Sequence, residues 1–471
     1  MGVFGMIIAV LFAGFAVSYG WGMRGYIIGG EKGAMLPGAL LGLSIALFCG
    51  GGKAANLYPF FCAAGALSMF YGGTEPYAQT MCYILYRDDK KSFAYNKVSK
   101  GITGILLKGA LWFGIAAVVL AMLPGALSGI YSKTDIIVLF LMIPVLSYIG
   151  TKIFNSPFNK AEKKYPRCYF SNGSREEWGG NVLVLLAFLI VALLRKDFFA
   201  AGAGIVGIVS GGLGFTFGLL LYDFNERKHN GKYFFGKYQE KGYIDGWKIM
   251  EHFFGAFAGG GVMLWFCVNQ EHFSDLCAKI SDADLIQNGT LTDTACAIAV
   301  PGMLLLTAAQ YIVQLAVRKK TGKEAEIHIF ELIERPFFSA IPLIFVFLGL
   351  YRASCAVSLL TVLYVLCEKC GIEWFSEFKN KNIVFWIYSL VFAVFSAYFY
   401  VTFTVSPLLL IIVYTFGYTA CILYKSHHKE YRMKRKTEGK KIGEFFRSRI
   451  TVDTHLFVQC IVLTAIILIK T

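Results

Sequence analysis

Long apolar stretches divided by charged loops run through this chain from end to end. Runs near the length needed to cross a bilayer, about 20 residues, fall at 2–20, 34–50, 58–86, 102–124, 135–153, 180–196, 198–222, 251–268, 294–317, 336–350, 353–367, 383–403, 405–424 and 454–470. The pattern predicts an all-α, polytopic membrane protein with about 14 transmembrane helices. The 336–367 region also fits one hairpin or a single bent span. Val3 to Tyr19 has no basic residues before it and no small-residue cleavage site after it, so it reads as a retained first helix.

The loops give an orientation. Lys and Arg cluster at 87–100, 152–175, 227–248, 318–335 and 425–449. The 269–293 stretch instead carries Glu271, Asp275, Asp282, Asp284 and Asp293 against Lys279 alone. Fourteen spans put all five basic loops on the cytoplasmic side and the acidic loop outside, with both termini outside.

One pattern of small and polar residues occurs twice. Ser18-Tyr19-Gly20-Trp21-Gly22 returns as Ser210-Gly211-Gly212-Leu213-Gly214, offset 192 (210 − 18). Gly38 and Gly42 return as Gly255 and Gly259, offset 217 (255 − 38), and Ala78-Gln79 with Arg87 returns as Ala309-Gln310 with Arg318, offset 231 (309 − 78). Preserved order with growing offsets is what a duplication with loop insertions produces. Spans one and seven run the same way, so the expected organisation is a six-helix repeat at 1–197, a parallel copy at 198–404, and two added helices at 405–471.

Composition narrows the class. The chain is 56% hydrophobic and 16% charged, far from a nucleic-acid-binding profile, and its net charge of +15 resides in the loops. The expected partners are membrane lipids and a small solute, not nucleic acid. Most cysteines lie in apolar runs, where a thiol acts as a small hydrophobe. Cys367-Glu368-Lys369-Cys370 is a lone CxxC without a companion, and there is no nucleotide-binding loop, so no metal or other cofactor is expected.

Two resemblances follow. Six plus six parallel helices are similar in count and symmetry to the halves of major facilitator transporters. The usual basic loop between helices two and three of that superfamily is missing here, where Gly50 to Asn56 stands, and the termini face the other way. Gly20-Trp21-Gly22-Met23-Arg24-Gly25 with Glu31 and Gly33-Ala34 resembles a stretch of an uncharacterised family of bacterial polytopic membrane proteins. That likeness covers about 25 residues and implies a multi-pass protein of the bacterial cell membrane, with no activity attached.

Candidate chemistry concentrates where apolar spans are interrupted. Glycines crowd Gly20 to Gly30, each costing about 1 kcal/mol in a helix relative to Ala, so unwound backbone is expected around Arg24 and Glu31, with Trp21 and Tyr19 as aromatic neighbours. Gly72-Gly73-Thr74-Glu75-Pro76 predicts a break in the third span, because Pro76 disfavours helical geometry at Glu75. A broken helix carrying a carboxylate is a recurrent way to build a transporter site. Glu251 and His252 stand at the head of an apolar helix, where an ionisable pair is costly unless used or wetted. Gln79 and Gln310 occupy matching positions, and Tyr77 and Trp247 suit a sugar ring. His328 and Glu331, one turn apart in Glu324 to Arg335, lie on an expected interfacial amphipathic helix.

The expected function is secondary active transport of a small polar or anionic solute, or of a sugar, by alternating access between two halves and with ion or proton coupling. The expected substrate- or ion-binding residues are Trp21, Arg24, Glu31, Glu75, Gln79, Glu251, His252 and Gln310. The alternative is a membrane-embedded enzyme or flippase acting on a lipid-linked substrate, and no catalytic set of residues speaks for it. A channel or scaffold subunit is a third class, disfavoured by two unequal copies.

Overall fold

A computed structural model describes residues 1–27, 33–73, 77–156, 167–171, 176–228, 231–236, 245–281, 328–350, 455–456, 458–467 and 469. Every regular element among them is helical: α1 Val3–Ile27, α2 Met35–Cys49, α3 Gly51–Asn56, α4 Tyr58–Gly72, α5 Ala78–Leu85, α6 Val98–Leu127, α7 Lys133–Gly150, α8 Trp178–Leu194, α9 Phe198–Glu226, α10 Gly246–Val268, α11 Gln270–Ala278 and α12 His328–Phe347. A short terminal helix, Val458–Ile467, follows. Five helices are long and apolar enough to cross a membrane, within Val3–Arg24, Val98–Leu127, Lys133–Asn155, Phe198–Glu226 and Gly246–Val268. The helices α2, α8 and the terminal one are apolar but shorter.

The faces turned outward support the same class. On α9 the exposed side chains Ile205, Val209, Leu213, Phe217, Leu220 and Phe224 recur every three or four residues, one continuous apolar stripe. On α7 Ile137, Leu141, Val145 and Ile149 do likewise. Stripes of this length on the outside of a fold suit lipid as the surrounding solvent rather than water. Helix starts are fixed by ordinary capping: Ser132 and Asp135 form a capping box on α7, Asp197 accepts the Ala200 N–H on α9, and Asp245 accepts the Trp247 N–H on α10.

Glycine permits the tightest packing. Helix α2 crosses α4 with Gly38 facing Gly65, and a Cβ at Gly42 would run into the Phe61 carbonyl oxygen. Helix α10 lies on α1, where a Cβ at Gly255 would sit 2.6 Å from the Val17 carbonyl oxygen. Gly38, Gly42, Gly255 and Gly259 are therefore close-approach positions, as their spacing predicts. The matching pairs meet different neighbours, α4 in one case and α1 in the other. Helix α9 packs most extensively on α6, and α10 on α1 and α9, so residues on both sides of position 197 share one core.

One expectation is corrected. Backbone from Gly20 to Ile27 is regular helix, not unwound. The intrinsic cost of Gly20 and Gly22 is met by packing, because a Cβ at Gly20 would lie 2.6 Å from Pro37 Cα and one at Gly22 would lie 2.6 Å from His252 Nε2. The break in the third span is observed: α4 ends at Gly72 with Gly73 as its cap, and α5 begins at Ala78. The stretch from His328 through Phe347 is a single helix, so the expected interfacial segment and the tenth span are continuous. The spans expected at 294–317, 353–367, 383–403 and 405–424, the CxxC at 367–370 and the basic loop at 425–449 lie outside the described residues.

Candidate functional site

The cluster begins with helical spacing. Trp21 and Arg24 are three apart on α1, and Trp247, Lys248 and Glu251 occupy one face of the first turns of α10. Tyr77 enters from the cap position of α5, directly after the break in the third span. Long α6 supplies Trp112, and α9 supplies Phe215. Four helices and a helix break thus converge on one cluster.

Glu251 is the centre and is 2% exposed. Its Oε1 accepts the Trp247 indole N–H at 2.9 Å and the Tyr77 hydroxyl at 3.3 Å. Its Oε2 accepts Lys248 Nζ at 2.7 Å. Lys248 donates in addition to the Gly22 carbonyl at 2.7 Å, tying α10 to the last turns of α1. Among the described residues the carboxylate therefore has one ionic partner and two neutral donors, and both of its oxygens are engaged.

Arg24, 2% exposed, lies over three aromatic faces: Trp21 at 4.8 Å, Tyr77 at 4.9 Å and Trp112 at 5.1 Å. A desolvated guanidinium gains about 2 kcal/mol or more from such contacts. Tyr77 joins the two charged centres, its ring under Arg24 and its hydroxyl on Glu251. Behind them Trp21 stacks on Trp112 at 5.0 Å, Trp112 on Phe215 at 5.4 Å, and Phe215 on Phe254 at 4.5 Å. The indole N–H groups of Trp21 and Trp112 are buried with no acceptor among the described residues. Two strong donors next to a cation leave unmet demand for an acceptor oxygen.

His252 lies one turn beyond Lys248 on α10 and, like it, faces α1. Its Nδ1 is 2.9 Å from Ser18 Oγ and its Nε2 is 3.0 Å from His455 Nε2. Gln79 sits on α5 with a buried Oε1 that has no partner among the described residues. Glu31, Glu75 and Gln310 lie outside the described residues, although the described ends at Ile27 and Gly73 lead into the Glu31 and Glu75 segments. Of the expected set, Trp21, Arg24 and Glu251 come together, with His252 adjacent.

Two features escaped the sequence reading. Trp112 was hidden among ordinary apolar residues of a long span. The second is a buried ion pair: Lys108 Nζ on α6 lies 3.4 Å from Glu176 Oε1, with both side chains fully buried. Lys108 also donates to Thr80 Oγ1 at 3.0 Å, and the Phe170 N–H donates to Glu176 Oε1 at 2.7 Å. A single lysine inside the apolar run at 102–124 was the available signal. Beside it, Ser99, Lys100, Thr103 and residues 167–170 line a surface hollow of about 370 Å³.

No protein-family model, curated protein or solved structure matches this chain.

Proposed function

We propose that this chain is a secondary active transporter of a small polar or anionic solute, or of a sugar, coupled to protons or another ion. The observation that carries the reading is Glu251, a buried carboxylate held by Lys248, Trp247 and Tyr77 where the broken third span meets the head of α10. Buried ion pairs add little stability relative to apolar packing of similar volume. An ionisable residue inside an apolar bundle is accordingly a functional candidate in its own right. Lys248, paired with Glu251, and Arg24, over the Tyr77 ring, give an anionic group two cations, and the indole N–H groups of Trp21 and Trp112, which have no acceptor among the described residues, offer donors to its oxygens. Displacement of Lys248 by the solute would leave a buried carboxylate without its ionic partner, which is costly. In this reading solute binding and ion coupling meet at one residue.

In the full proposal, Glu31 and Glu75 are further ion- or substrate-binding residues of this transporter. The chain crosses a cell membrane 14 times as two parallel six-helix repeats plus two helices, and the halves rock about the cluster. The growing offsets between the repeated residues support that organisation. The test is uptake into proteoliposomes under an imposed pH gradient across a panel of anionic, polar and sugar solutes. Wild type should accumulate one class. Glu251→Gln should lose gradient-driven accumulation yet keep solute exchange, since the amide preserves shape and loses only the titration. Normal accumulation by Glu31→Gln, Glu75→Gln and Glu251→Gln alike would show that these carboxylates are structural.

A further inference from the structure

His252 of α10 and His455, at the start of the terminal helical segment, lie 203 positions apart and meet ring against ring. Their Nε2 atoms are 3.0 Å apart, with ring centroids at 5.0 Å and planes at 71°. Ser18 of α1 sits 2.9 Å from Nδ1 of His252. With the Nδ1 proton donated to that hydroxyl, the Nε2 lone pair of His252 points at His455. An outer hydrogen bond of this kind is how ligating imidazoles are oriented. Gly22 leaves room for the ring, since a Cβ there would come within 2.6 Å of Nε2. His455 is exposed to solvent, which gives an ion an entry path and leaves coordination positions for water.

We propose that His252 and His455 bind a divalent first-row transition ion, of the Ni²⁺, Cu²⁺ or Zn²⁺ class, through their two Nε2 atoms, with water completing the shell. Imidazole is a preferred donor for these ions. Metal–nitrogen arms of about 2.05 Å across the observed 3.0 Å separation subtend about 94°, the cis angle of an octahedral or tetragonal ion. A tetrahedral ion needs nitrogens about 3.3 Å apart, a small parting for an exposed ring. His455 presents its Nε2 lone pair by carrying its proton on Nδ1, so binding requires a change of tautomer and no net loss of protons. Lys248, one turn away, is paired with Glu251 at 2.7 Å, which offsets its repulsion of a cation. A bound ion would clip the terminal helix to α1 and α10. That helix already packs Leu456, Cys460 and Leu463 with Phe12, Tyr19 and Leu40. The proposal is independent of the transport reading.

The test uses the full-length protein, purified on a histidine-free tag, stripped with EDTA and dialysed against NiCl₂ or ZnCl₂, with MgCl₂ as the hard-ion control. Wild type should retain about one Ni²⁺ or Zn²⁺ per chain, no Mg²⁺ above background, and a raised melting temperature in the presence of the metal. His252→Ala and His455→Ala should lose that equivalent, and His427→Ala/His428→Ala should keep it. His455→Gln, which preserves a hydrogen bond at the exposed position, must also lose the metal and covers the case in which an alanine variant fails to fold. Absence of saturable uptake by wild type, or uptake at the wild-type level by both His455 variants, overturns the proposal and leaves the pair as a hydrogen bond between two imidazoles.

Discussion

Replacing Lys108 by Met removes one ion from a fully buried pair while nearly preserving side-chain volume. Helix α6 spans 30 residues, about 45 Å at 1.5 Å per residue. Lys108 stands ten residues from its start, about 15 Å along. A helix that long, if centred on a hydrocarbon layer of about 30 Å, would overhang by about 7 Å at each end and would hold the backbone at Lys108 about 8 Å inside the apolar zone. At the observed 3.4 Å separation the Coulomb attraction is about 5 kcal/mol for an effective dielectric of 20. Desolvation offsets much of that for the intact pair. Deleting one partner instead strands the other, at about 3–5 kcal/mol. Lys108→Met should therefore cost about 3 kcal/mol or more, because Glu176 then keeps the Phe170 N–H but no longer has the ammonium. Glu176→Gln should cost less, since its amide oxygen still accepts that N–H. The double variant Lys108→Met/Glu176→Gln should cost less than the sum of the singles by about 2 kcal/mol. Equilibrium unfolding by SDS in mixed micelles, with refolding verified, measures all four corners of this cycle. Additive costs within about 0.5 kcal/mol would mean that the pair does not act as a unit, and the electrostatic account would be refuted.

Further outcomes follow from the same geometry. Gly42→Ala should destabilise by about 1–3 kcal/mol because its methyl meets the Phe61 carbonyl rather than a yielding side chain, whereas Gly52→Ala, with nothing nearby, should leave the SDS midpoint nearly unchanged. Arg24→Lys keeps the charge and loses the planar stack on Trp21, Tyr77 and Trp112, so it should lower stability by about 1–2 kcal/mol; an unchanged midpoint would remove the stacking argument. Asp88, on the surface, accepts from Arg227 at 2.8 Å, and that bond holds its carboxyl below the ordinary carboxylate value. The contribution of this contact is present at neutral pH and fades as pH falls through the lowered value. The melting-temperature difference between wild type and Asp88→Asn should accordingly shrink to zero on acidification, and a difference that grows would reverse the assignment.

What the sequence revealed, and what it concealed, divides along a physical line. Helices follow from apolar run length, and α1, α2, α4 with α5, and α6 to α10 occupy the first eight expected runs. Gly72, Gly73 and Pro76 disrupt the helix locally, so the break before Tyr77 was legible. So was Glu251, because a carboxylate at the head of an apolar helix is anomalous without reference to its partners. The glycines at 20 and 22 misled for the opposite reason. Their propensity is a property of an isolated helix, and their actual role is to admit Pro37 and His252 from other elements. Lys108 was overlooked because one charge barely alters the mean over the apolar run at 102–124, and Glu176, 68 positions away, is not signalled by any period. His455 and Trp112 acquire meaning only across contacts of 203 and 91 positions (455 − 252 and 112 − 21).

The polar centre has the same character. Arg24 and Glu251 are 227 positions apart (251 − 24), and Tyr77 brings them into one network only because α4 stops where it does. Had the third span continued as helix through Glu75, Tyr77 would have continued along its axis instead of crossing between α1 and α10. The Gly72 break therefore does more than free backbone groups. It delivers the hydroxyl that joins a cation held by aromatic faces to a carboxylate held by a lysine. That coupling gives Tyr77→Phe a distinct expectation on the proposed transport function: the ring still supports Arg24, Glu251 loses one donor, and binding of an anionic solute should change less than the proposed proton-driven accumulation.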